Sequence, residues 1–128
     1  MCKPYMEDFF ELERRAREAA DQKVQPRQAA LKVGDFFVRQ AHGLTVYSEV
    51  LDAAALILDG RAVEDLTEEE REEYEGVRDS YKEMENYRFT RSYSRVCPKG
   101  ELGDVHVSTV SRVISREEFR AAQKNEWA

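Results

Sequence analysis

The apolar residues change period several times along this 128-residue chain, and each change marks an element. Phe9, Leu12, Ala16 and Ala19 follow a 3-4-3 spacing, which puts them on one stripe of a helix from Tyr5 to about Lys23, with Glu and Arg on the other faces. Pro26 closes that helix, because proline lacks the amide hydrogen and clashes with the preceding turn. Val33-Gly34-Asp35 then turns the chain into a strand. Asp35–Gln40 and Leu44–Leu51 are rich in Phe, Val, Thr and Tyr, and they predict a hairpin around Ala41-His42-Gly43. Within it, Leu44, Val46 and Val50 share one face, and Thr45, Tyr47 and Glu49 the other.

Asp52–Gly60 fits either a short helix capped by Asp52 or a buried strand at Leu56-Ile57-Leu58, and helix is the expectation. Thr67-Glu68-Glu69-Glu70 is a capping box, in which the Thr hydroxyl and a Glu carboxylate satisfy two open amides of the first turn. Tyr74, Val77, Tyr81 and Met84 repeat the 3-4-3 spacing, so this helix should run to about Glu85, with Gly76 costing about 1 kcal/mol relative to Ala. Tyr87–Val96 alternates strictly, with Tyr87, Phe89, Arg91, Tyr93 and Arg95 on one face. Cys97–Gly103 carries a proline and two glycines and reads as a loop. Asp104–Val113 is a second strand whose apolar residues slip phase after Val107, as a bulge near Ser108 or Thr109 would cause. Ser115-Arg116-Glu117-Glu118 is a second capping box, stapled by Ile114 and Phe119, opening a helix to about Lys124 with Trp127 free to pack back.

The order is α-β-β-(α)-α-β-β-α in a single domain, 1–128. Its parts are an N-terminal helix (1–27), a first hairpin (33–51), an acidic helical insert (52–86), a second hairpin (87–113) and a C-terminal helix (115–128). Val33-Gly34-Asp35 entering a Phe/Val strand resembles the opening of many small SH3-like barrels. The expected class is therefore α+β: a small antiparallel sheet, or SH3-like partly open barrel, of about four strands covered by helices.

Composition narrows the setting. The charge is −6, yet 13 aromatics sit in periodic runs, which fits a folded domain rather than a disordered one. The longest apolar run, Ala53–Leu58, is far short of the roughly 20 residues of a membrane span. Met1–Phe10 has no basic segment leading into an apolar one, so no signal peptide is expected. Cys2 and Cys97 make no disulfide framework, and a cytoplasmic setting is the expectation.

The largest local charge lies at Glu64–Glu85, where eleven acids and three bases give −8 and leave the rest of the chain at +2. Such a surface steers toward basic partners or imitates nucleic-acid phosphates. The leading expectation is a small non-enzymatic regulatory or adaptor protein. It would bind a basic protein or a nucleic-acid-binding protein through Glu68, Glu69, Glu72, Glu73 and Tyr74. Small acidic proteins of this kind are common among phage-encoded host modulators. The plainer alternative is a solvated helix whose Tyr/Val/Met stripe docks on its own domain, with the Phe9/Leu12 stripe as a mate within the chain or between two copies as a homodimer.

A second expectation uses Arg88, Arg91, Tyr93 and Arg95 to hold a nucleotide-like ligand or single-stranded nucleic acid, because guanidinium groups bind phosphate and aromatic rings stack bases. Net negative charge argues against duplex DNA. Cys97 and His106 flank the second loop and would form a dyad if that hairpin were regular; zinc would need Cys2 and His42 as well. No cofactor, metal set or catalytic residue is expected, since no phosphate loop, dinucleotide fingerprint or nucleophile elbow occurs.

Overall fold

The computed structural model describes residues 3–127, with side chains from residue 9 onward. The fold is α+β. Helices α1 (Lys3–Gln22) and α2 (Pro26–Ala29) precede the hairpin β1 (Phe36–Ala41) and β2 (Leu44–Val50). Helices α3 (Ala53–Leu58) and α4 (Glu68–Glu83) follow, and then come β3 (Tyr87–Ser94), β4 (Cys97–His106), β5 (Arg112–Ile114) and α5 (Arg116–Ala122). The five strands form one antiparallel sheet in the order β4-β3-β2-β1-β5, open at β4 and β5 and not closed into a barrel.

The sheet has one strand more than the two hairpins supply. The phase slip after Val107 is a 3-10 turn, Val107–Thr109, rather than a bulge. It releases the chain from β3, so that β5 crosses to pair with β1 through Phe36↔Ile114 and Phe37↔Val113. Cys97–Gly103 also differs from the expected loop. The turn is at Arg95–Val96, and Cys97–His106 is continuous edge strand, with a register shift opposite Ser92–Ser94. Proline is tolerated there because an edge strand has amides that need no ladder partner. Exposed Pro98, Lys99 and Glu101 then guard the edge against pairing with other chains.

The first turn is tighter than its sequence suggested. Ala41 stays in β1, and only His42 and Gly43 turn, both with positive φ, 53° and 76°. That pair of left-handed residues matches the twist of a two-residue hairpin. α3 is the capped helix: Asp52 accepts from the amides of Ala54 and Ala55.

Both faces of the sheet are covered. Phe36, Val38, Tyr47 and Ile114 meet Phe119, Ala122 and Trp127 from the C-terminal segment, with Tyr93 stacked on Trp127 at 5.4 Å. Thus Trp127 does pack back, and Ile114 and Phe119 share one cluster. The second capping box is half-made, however. Ser115 accepts from the Glu118 amide, but the Glu118 carboxylate goes to Arg112 instead. On the opposite face Phe37, Val50, Val105, Val107 and Val110 close over Leu31. Gln28 ties α2 to this side by donating to the carbonyls of Val110 and Ser108.

Candidate functional site

α4 is capped at its start and held to the domain along one side. Thr67 Oγ1 accepts from the Glu70 amide, and Glu70 returns the bond to the Thr67 amide, so the expected capping box is complete. Glu70 also receives Arg61 at 2.8 Å. The Thr67 amide and Arg61 together hold its carboxyl below the ordinary value. On the inner side Tyr74, Val77, Tyr81 and Met84 are half-buried, α3 packs alongside, and Tyr81 meets Phe89 edge-on at 6.0 Å. The Tyr81 hydroxyl donates to Asp104, which pins the helix to β4. Burial and that carboxylate push the Tyr81 phenol well above its ordinary range.

The outer side is different. Glu68, Glu69, Glu72 and Glu73 are exposed, and none of them forms an ion pair among the described residues. Glu68 and Glu72 fall on the arc opposite the Tyr81 stripe, whereas Glu69 and Glu73 lie along its flank, two turns and one turn before Val77. Tyr74, expected beside them, sits half-buried at the margin with Arg78 over its ring, 5.7 Å from the centroid.

The Arg/aromatic strand does not converge. Tyr87, Phe89, Arg91 and Tyr93 share a face, but Tyr93 is spent in the Trp127 cluster. Arg91 stands opposite Glu49 in the sheet, and its stem runs across Gly100, where a Cβ would come within 2.8 Å of it. Arg95 lies in the β3–β4 turn, exposed, rather than on the strand. Arg88 points to the other face and donates to the carbonyls of Leu31, Ala29, Glu85 and Tyr87. It is a clamp between β3 and the chain entering β1, and its burial lowers the guanidinium pKa. Seven strand steps separate Arg88 from Arg95, about 23 Å, so the four residues share no pocket.

His106 is used locally. The Ser108 amide donates to Nδ1 at 3.1 Å, which leaves Nε2–H to donate to Asp21 at 2.8 Å. Ser108 Oγ lies 2.8 Å from Nδ1, and Asn86 donates to the same Asp21 oxygen. These donors hold the Asp21 carboxyl below its ordinary value. Hydroxyl, imidazole and carboxylate stand in line, as a nucleophile relay would. The adjoining cavity of about 470 Å3, however, is lined by Arg17, Asp21, Glu83 and Tyr87 and not by Ser108. The network anchors the end of α1. Cys97 is no partner to it: it begins β4 and His106 ends it, nine steps or about 30 Å away. His42 is exposed in the first turn, and Cys2 lies outside the described residues. No cluster of three or more His, Cys, Asp or Glu that could hold a metal occurs among the described residues.

One charged residue escaped the sequence reading. Arg39 lies with Thr90, Ser92 and Glu101 along a small cleft of about 160 Å3 on the Phe37 side of the sheet. Its buried Nε has no partner among the described residues.

No helix among the described residues is long and apolar enough to cross a membrane. Compared with protein-family models, with curated proteins and with solved structures, the chain matches none.

Proposed function

We propose that this chain is a non-enzymatic regulatory or adaptor protein of the cytoplasm that binds a basic macromolecular partner through the outer face of α4. The partner is a basic protein or the basic surface of a nucleic-acid-binding protein. One observation supports this most: Glu68, Glu69, Glu72 and Glu73 stand exposed, and without ion pairs among the described residues, on a helix whose Tyr81 stripe is fixed to the domain. Carboxylates carried on one helix lie at fixed spacing along it, and their summed field speeds the encounter with a basic surface.

Charge reversal tests the proposal. In capture experiments from a cell lysate at about 50 mM salt, wild-type protein and the Arg91→Ala/Arg95→Ala variant should retain the same partner. Glu69→Lys/Glu73→Lys should lose it while keeping the wild-type melting curve. Retention by the charge-reversed variant, or loss by the arginine variant alone, would contradict the proposal and favour an Arg/aromatic ligand site.

A further inference from the structure

We infer that Arg39 and Ser92 form a binding site for a small oxyanion, either a free ion or the phosphate or carboxylate end of a larger molecule. Arg39 follows Phe37 by two residues in β1, so both side chains leave the same face of the sheet. Across that face Phe37 stands opposite Ser48, Ser48 opposite Ser92, Ser92 opposite Glu101, and Thr90 opposite Gly103. Residues directly opposite share a face, so the three hydroxyls and the guanidinium belong to one polar patch. Ser48 and Thr90 are fully buried in it. The cleft of about 160 Å3 opens beside Arg39, Thr90 and Ser92, with Glu101 at its rim.

The arginine is built in without a partner. Its Nε is buried with no acceptor, and no carboxylate among the described residues pairs with its guanidinium. Arg88, on the same face, shows the contrast, since four main-chain carbonyls take up its donors. An unpaired buried donor is a standing cost to the fold, and a bound oxygen would remove it. The hydroxyls supply a second donor. Thr90 Oγ1 gives its one proton to the Gly103 carbonyl at 3.2 Å, so Ser92 donates to Thr90 at 3.3 Å and Ser48 to Ser92 at 2.7 Å. Turning the Ser92 proton from Thr90 onto a bound oxygen breaks only the longest of these bonds and keeps the one from Ser48. A guanidinium donates and never accepts, and its planar fork matches two oxygens of a carboxylate or phosphate. The cleft is smaller than the roughly 300 Å3 at which pockets take drug-sized ligands, so it holds an anionic group and not a whole nucleotide. Of the two acids along it, Asp104 already accepts from the Tyr81 hydroxyl, and Glu101 is exposed, where salt screens its charge.

Nuclear magnetic resonance spectra of the full chain, titrated with sodium phosphate, test the site. Saturable shifts should appear at the Arg39 Nε–H and at the Ser92 and Gly103 amides, with a Kd of about 1 mM or tighter. Sodium chloride of matched ionic strength should not produce them. Arg39→Met should weaken phosphate binding about tenfold or more. Because it removes a donor that has no acceptor, it should melt in chloride at or above the wild-type temperature. Glu101→Gln takes a negative charge from the rim and should bind phosphate more tightly. Sodium acetate separates the sources. Shifts at the same atoms mean that a carboxylate also fills the site, and their absence means that it takes a phosphoryl group. Four results would each overturn the inference. One is no saturable shift at those atoms up to about 50 mM phosphate, and the second is an affinity unchanged in Arg39→Met. The third is an affinity no tighter in Glu101→Gln. The fourth is an Arg39→Met chain that melts well below wild type in chloride, which would make Arg39 a structural clamp like Arg88.

Discussion

Individual residues here are informative mainly through what they have already been given to do. Arg88 looks like a phosphate ligand in the sequence, but it donates to four main-chain carbonyls, and a group so engaged has little left for a ligand. Gly100 has φ of +85°, and a Cβ there would lie 2.7 Å from the Tyr93 ring. Gly100→Ala should cost about 1–3 kcal/mol in urea denaturation, through backbone strain and displacement of Tyr93 from Trp127. Asp21 gives a pH prediction. Its carboxyl is depressed below 3.8 by His106 and Asn86, so its contribution is present above that value and lost as pH falls through the folded-state pKa. Asp21→Asn should therefore flatten the fall of the urea midpoint with acidification in that window. An unchanged slope would mean the anchor contributes nothing to stability.

Elements were legible where a local signal is enough to determine them. The caps at Asp52 and Thr67 and the stripe of α4 act within a turn or two, and the helices stand where those signals put them. Pairings between distant segments were not legible. Nothing in Arg112–Ile114 says that it will leave its hairpin for β1, because that choice depends on Ile114 reaching the Phe36 cluster. Cys97–Gly103 carries turn residues and forms strand all the same, since a sheet edge tolerates them. In the site, the acidic face could be read from composition, whereas the Asp21–His106 contact spans 85 positions and left no trace in local pattern. Thr67→Ala tests the cap. It should cost about 1 kcal/mol and fray the first turn of α4, read as faster amide exchange at residues 68–70 with β3 unchanged.

At the scale of the molecule, charge and cover are separated. The sheet is packed on both faces, α4 lends its inner side to that packing, and its carboxylates are left outside as one field. Binding through that field should weaken steeply with salt. The measurement that bears most directly on this account is hydrogen–deuterium exchange of the captured complex against free protein. The account predicts slowed exchange along residues 68–83, with β3 and the Arg95 turn unchanged. Protection of β3 and that turn, with α4 exchanging as in the free protein, would contradict it.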